Sequence, residues 1–242
     1  FSDFKIHTIF HAAAYKHVDL VENNIVSAIN NNIFGTLKLA KNAQNFKIKS
    51  FILISTDKAV NPSNVMGKTK KISEIIIQSI ANTLKGKKYF SIVRFGNVFE
   101  SSGSVIQIFK EQISNNGPVT ITDKDVTRYF MTIKEAAQLV IEASSLQLNG
   151  EVYILDMGKP IKILELAQKL IKFYGFNVKN KINDLNNNND IEIKFIGLKK
   201  GEKLHEELST NKELQNSSRS KIFISKEKVL KWKKLDYNLN KL

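Results

Sequence analysis

Cysteine is absent from all 242 residues, which excludes disulfides and thiolate-bound metal and suits a reducing compartment. No apolar run approaches the roughly 18–20 residues that a membrane-spanning helix needs. The start is neither basic nor followed by a cleavable apolar stretch, so it does not read as a secretory signal. The four histidines show no metal-ligand spacing. There is no internal repeat. No GxGxxG occurs, so the phosphate-cradling turn of a nucleotide-binding domain lies outside these residues. Acidic residues are scarce: 23 Asp+Glu face 37 Lys+Arg, a formal charge of +14. That field favours anionic partners. Nucleic acid is not expected, because no aromatic-interleaved basic stripe or base-reading motif accompanies it.

What is present is the balance of a globular protein, 42% apolar and 25% charged. The chain opens on Phe1 and runs almost at once into a strand, which predicts a piece of a longer protein. Buried parallel strands are expected at Ile6–Ala13, Ser50–Ser55 and Tyr89–Phe95. A helical stretch from Asp19 to Phe46, interrupted at Gly35, and a helix opened by Pro62 separate them. This alternation predicts an α/β fold with a doubly wound, Rossmann-like parallel sheet. Ligands of such sheets bind beyond the carboxyl ends of the strands. That directs attention to residues 13–17, 55–58 and 96–98. Farther on, helices are expected at Val105–Ile113, Ile133–Leu146 and Ile163–Phe173, and a strand at Val152–Leu155, in a smaller mixed α/β region. Asn183–Asp190 reads as a polar loop and Val229–Leu242 as a basic surface helix or frayed tail.

The richest segment is ISTDKAVNPSNVMGKTKK (Ile54–Lys71). Thr56, Asp57 and Lys58 follow directly on a buried strand. Met66 and Lys70, four residues apart, share one face of the next helix. By itself, Thr-Asp-Lys would read as a helix cap with an exposed lysine.

Its neighbours change that reading. FHAAAYKHV (Phe10–Val18), RFGNV (Arg94–Val98), TRYFMTIKEA (Thr127–Ala136), LDMGKPIKILELA (Leu155–Ala167) and GLKKGEKLHEEL (Gly197–Leu208) occur in the order seen in a known family. Together with STDKAVNPSNVMG they resemble the UDP-N-acetylglucosamine 4,6-dehydratases of polysaccharide and capsule biosynthesis. These are extended short-chain dehydrogenase/reductases, and the likeness runs to about Leu208.

The resemblance implies NAD, in preference to NADP, and a UDP-sugar substrate. Hydride leaves sugar carbon 4, a proton leaves carbon 5, water leaves carbon 6, and the hydride returns at carbon 6. It also implies roles. Asp57 is the acid for the departing hydroxyl, Lys58 the base at carbon 5, and Thr56 the partner of the carbon-4 oxygen. Lys70 binds the nicotinamide ribose; Ala12, Ala13 and Lys16 form the cofactor-side wall, with His17 beside the substrate. Asn97, Arg128, Lys199 and Glu202 contact the sugar nucleotide, Arg128 at its diphosphate. Asn32 matches a structural Asn.

Two departures stand out. Lys199 replaces the usual Arg, a point charge in place of a planar fork. Met66 stands where most members carry the Tyr that deprotonates the carbon-4 hydroxyl. Met there resembles the long branch, whose members precede this region with membrane helices and a full nucleotide domain. For the full-length protein that implies the cytoplasmic face of the inner membrane, with membrane contact only through a preceding segment, and a homo-oligomer. The implied division is 1–102 as the later part of a NAD-binding Rossmann domain, 103–208 as the mainly sugar-nucleotide-binding region, and 209–242 as a tail. A sugar-nucleotide 4-epimerase of the same superfamily and an inactive remnant stay open as alternatives.

Overall fold

The computed structural model describes residues 4–46, 48–84, 88–179, 189–210 and 214–242. Its contacts group the chain into two compact units: 1–95 with 134–156 and 207–242, and 96–133 with 157–206.

Unit 1 is built on a six-stranded sheet. Its strands are β1 (Thr8–His11), β2 (Ser50–Thr56), β3 (Tyr89–Phe95), β4 (Val152–Leu155), β5 (Gln215–Asn216) and β6 (Ile222–Ser225). The spatial order is β1-β2-β3-β4-β6-β5. The first four run parallel, with His11 opposite Leu53, Thr56 opposite Phe95 and Ile92 opposite Val152. β6 is antiparallel to β4, and β5 to β6. Helices α1 (Val18–Asn23), α2 (Ile25–Ala28), α3 (Gly35–Asn45), α4 (Val65–Ala81), α5 (Ile133–Ser144) and α6 (Trp232–Leu239) complete the unit.

β2 and β3 form because their continuous apolar runs can bury both faces, as parallel strands between helices must. Phe51, Leu53, Phe90 and Ile92 meet Ile76, Ile77 and Ile80 of α4 in the main core. α4 begins three residues after Pro62, because the Asn64 side chain accepts from the Gly67 N–H at 2.8 Å and caps the first turn. Gly35 does not interrupt its helix; it has helical angles, φ −59° and ψ −47°. The break falls at Asn24, with φ −135° and ψ 53°. Residues Ile29–Phe34 then form a wider π turn.

The chain end differs from a frayed tail. β6 lies inside the sheet, and Leu235 and Leu239 of α6 are each only 5% exposed within the main core. Leu235→Ala should therefore cost about 2–4 kcal/mol. Thermal melting should show this as a fall of roughly 5–15 °C, whereas a detached tail would leave the midpoint unchanged.

In unit 2, helices Val105–Ser114 and Ile163–Phe173 share an apolar cluster with short strands, centred on Phe109, Ile113, Val119, Ala167 and Ile171. Strand pairs 97–98 with 130–131 and 127–128 with 161–162 set its polar residues. Residues 183–188 of the expected polar loop fall outside the described residues. Among the described residues, no helix is long and apolar enough to cross a membrane, and no group of His, Cys, Asp and Glu could hold a metal ion.

Candidate active site

β2 ends at Thr56, and a single 3-10 turn, Asp57–Ala59, follows it. Asp57 is fully buried there. Its Oδ1 accepts twice, from Thr56 Oγ1 at 2.8 Å and from Lys58 Nζ at 3.0 Å. Its Oδ2 is equally buried and has no hydrogen-bond partner among the described residues. A buried carboxylate oxygen without a donor is costly and calls for a specific explanation. The adjacent Lys58 side chain keeps 20% of its surface, so the pair is buried at one end and open at the other.

Helix α4 is held tightly against this turn. A Cβ on Gly67 would sit 2.2 Å from the Lys58 carbonyl oxygen, so only glycine allows the approach. One turn later, Lys70 is 6% exposed and donates to the Ile54 carbonyl at 2.7 Å. Burial lowers the Lys70 pKa to about 8, against the opposing attraction of Glu74. His11, at the carboxyl end of β1, is pushed down to about 4 by burial and by the charge of Lys70. Its Nε2 lies 2.9 Å from Thr36 Oγ1. The Thr36 hydroxyl donates to the Asn32 carbonyl, so it can only accept from His11, which places the ring proton on Nε2. Met66 packs among Val21 and Ala28 and offers no proton to a substrate hydroxyl.

Ala12, Ala13, Lys16 and His17 form the exposed loop after β1. Asn32 pins that loop to α4. Its Oδ1 accepts from the Tyr15 N–H at 2.8 Å and from Asn31 Nδ2 at 3.1 Å, while its Nδ2 donates to the Tyr15 carbonyl and to Thr69 Oγ1, each at 3.0 Å. All four hydrogen-bonding positions of the amide are filled. The π turn that carries Asn32 is a recurrent feature of functional regions.

Unit 2 gathers a second set. Arg128 is 7% exposed; it donates to the Thr127 carbonyl at 2.8 Å and to the Leu204 carbonyl at 3.2 Å, and pairs with Glu202 Oε1 at 2.8 Å. Glu202 also accepts from the Lys199 N–H at 3.2 Å and from Thr122 Oγ1 at 3.0 Å. Lys199 thus meets Glu202 through its backbone, with its side chain on the exposed surface. The Asn97 N–H donates to the Tyr129 carbonyl at 3.0 Å, next to Arg128 in sequence. Within unit 1, then, Thr56, Asp57 and Lys58 come together with Lys70 anchored at the same strand end. Within unit 2, Arg128, Lys199 and Glu202 come together. The quoted motifs contain His11 and Gly67 without giving either a role, and none contains Glu74. Of these, Gly67 had a local signal, a glycine within the first turn of a helix that follows a strand end.

Comparisons with known proteins agree with this architecture. The chain is 51% identical over 213 residues to the capsular polysaccharide biosynthesis protein CapD of Staphylococcus aureus, covering 88% of this chain and 34% of CapD. It is 35% identical over 207 residues to the UDP-glucose 4-epimerase of Rickettsia bellii, covering 85% of this chain and 57% of that protein. The solved structure of Pen from Bacillus thuringiensis superposes with a TM-score of 0.79 at 37% identity, over 90% of this chain and 66% of that one. The chain thus spans about a third of CapD's length. The family described as "Polysaccharide biosynthesis protein" matches residues 1–227, and this chain belongs to it.

Proposed function

We propose that the protein is a NAD-dependent UDP-sugar 4,6-dehydratase of polysaccharide biosynthesis, with UDP-N-acetylglucosamine as its substrate. The observation that carries the reading is the buried Asp57 carboxylate, its Oδ2 unpartnered and its Oδ1 shared by Thr56 and Lys58. Elimination needs an acid and a base at adjacent carbons. Moving one proton along the 3.0 Å contact converts ammonium and carboxylate into amine and carboxylic acid, the forms that both tasks require. Asp57 then protonates the departing carbon-6 hydroxyl as Lys58 takes the carbon-5 proton, and the ion pair is restored. Thr56 holds the carbon-4 oxygen. Because Asp57 already carries the Lys58 proton, the proton lost from the carbon-4 hydroxyl on oxidation leaves to solvent, Met66 having no group to take it.

The residues suit the cofactor in part. Lys70, a buried cation at the strand's carboxyl end, fits a ribose hydroxyl pair, and Ala12, Ala13 and Lys16 line the loop that Asn32 fixes. NAD, when bound, supplies hydride acceptance at carbon 4 and hydride return at carbon 6. In unit 2 the reading assigns Arg128 to the diphosphate, with Asn97, Lys199 and Glu202 around the nucleotide, and His17 to the substrate side of unit 1. Arg128→Lys should raise KM for the UDP-sugar about tenfold with little change in kcat, because a point charge cannot replace the fork. Steady-state kinetics check it. The reading places the full-length protein on the cytoplasmic membrane face as a homo-oligomer.

Incubating the complete gene product with NAD and UDP-N-acetylglucosamine, and following the sugar by NMR, tests the proposal. A 4-keto-6-deoxy product is expected. A sugar recovered with carbon 6 still hydroxylated would reject dehydration.

A further inference from the structure

Helix α1 carries a carboxylate that the proposed chemistry leaves unused. Glu22 is half-buried, and its Oε1 accepts from the Val65 N–H at 2.6 Å. Val65 is the first residue of α4, so its N–H has no partner within that helix. The Asn64 side chain is spent on the Gly67 N–H, and the Asn64 carbonyl accepts from the Lys68 N–H at 3.0 Å. The cap on Val65 therefore comes from another element, 43 residues away in sequence. An anion suits that place, because the positive end of the helix dipole lies there.

The first turn of α4 carries what makes this contact matter. Met66, next to Val65, packs with Ala28 and with Val21, the neighbour of Glu22; Val18 and Val65 lie against the same cluster. One residue further, Gly67 is so close to the Lys58 carbonyl that a Cβ would meet its oxygen at 2.2 Å. Helix α1 thus grips this turn by one apolar and one polar contact, and the turn backs Lys58. At its other end α1 starts directly after Lys16 and His17, the His17 carbonyl accepting from the Val21 N–H at 3.0 Å. It is a strut between the loop after β1 and the backbone that presents Lys58.

We infer that Glu22 is a positioning residue: by capping Val65 from α1 it seats the first turn of α4 against the Lys58 carbonyl and so fixes Lys58 beside Asp57. The kinetic consequence rests on the reading of Lys58 as the base of elimination; the hydrogen bond itself does not.

Amide hydrogen exchange of the complete gene product, resolved to single residues and run without cofactor or substrate, reads the contact directly. Glu22→Ala should speed exchange at Val65 roughly tenfold, within the range that a lost helix cap allows. Glu22→Gln keeps an acceptor oxygen and should leave Val65 protected. In turnover of the UDP-sugar, Glu22→Ala should lower kcat about tenfold and change KM less than about twofold, because the group displaced is the base and not a nucleotide contact. Glu22→Gln should stay within about threefold of wild type in both. If Glu22→Ala does not fold, Glu22→Ser, too short to reach Val65 but polar in a half-buried place, carries the same expectations. Unchanged exchange at Val65 in the truncated variant would overturn the inference. So would faster exchange with kcat intact, which makes the cap structural only, or a kcat loss in Glu22→Gln equal to that in Glu22→Ala. A wild type that returns the sugar undehydrated, with Val65 still exchanging faster in Glu22→Ala, rejects the dehydratase reading and leaves the Glu22 cap standing.

Discussion

Lys58→Ala is expected to lower turnover of the UDP-sugar by about 10²–10⁴-fold, the usual worth of a positioned base. No other amine shares the 57–59 turn, and the Lys70 ammonium is engaged with the Ile54 carbonyl. Asp57→Asn should lose a comparable factor. The amide can still accept from Thr56 and Lys58, so the turn keeps its shape while the acid is gone. Met66→Leu should change turnover less than tenfold, because Met66 packs with Val21 and Ala28 in an apolar cluster, and a side chain of similar volume preserves that packing. The measurement is steady-state turnover in the complete gene product, with substrate and cofactor affinity determined separately. Near wild-type turnover in Lys58→Ala, or equal loss in Met66→Leu, would contradict the assignment of roles.

Arg94→Met should have the largest effect on stability. It removes the buried cation on β3 that lies 2.7 Å from Glu74 of α4 and 2.8 Å from Glu227, leaving the two carboxylates with Lys71 and, for Glu74, the Ser55 hydroxyl. Breaking a buried pair by deleting one partner costs about 3–5 kcal/mol, since the desolvated charge left behind cannot recover water. In a chain of this size the thermal midpoint should fall by roughly 6–20 °C. Arg94→Lys should recover only part of this, because an ammonium cannot serve both Glu74 oxygens, Glu227 and the Leu208 carbonyl at once. Thermal unfolding followed by circular dichroism checks both. A midpoint unchanged in Arg94→Met would show that the cluster is solvated and carries little energy.

These two sites differ in how far they could be read without coordinates. Thr56, Asp57 and Lys58 are consecutive, so recognising the buried strand before them places them at its carboxyl end, while their catalytic reading comes from the resemblance carried by the neighbouring motifs. The strands Tyr89–Phe95 and Val152–Leu155 were legible for the same reason, continuous apolar runs bounded by polar turns. The Arg94 cluster joins residues 20 and more than 100 positions apart, and no local pattern announces that a charged side chain on a strand points inward. Glu74 reads locally as an ordinary helix former. The last strand, Ile222–Ser225, is only four residues long and lies between lysine-rich segments, so its pairing with β4 becomes visible only in the sheet. At Gly35 propensity misleads: a glycine usually weakens a helix, but here the chain breaks at Asn24 and absorbs an extra residue in the π turn. The unpartnered Oδ2 of Asp57, on which the functional reading stands, has no counterpart in any sequence pattern.

The central claim is that Asp57 and Lys58 serve elimination, with hydride leaving one carbon and arriving at another. UDP-N-acetylglucosamine deuterated at carbon 4 tests it most directly. Supplied to the complete gene product with unlabelled NAD, it should give a 4-keto-6-deoxy sugar carrying that deuterium at carbon 6, with a solvent-derived hydrogen at carbon 5. Deuterium recovered at carbon 4 of a sugar epimeric there, with carbon 5 unexchanged and carbon 6 still hydroxylated, would contradict the account and make the protein a 4-epimerase.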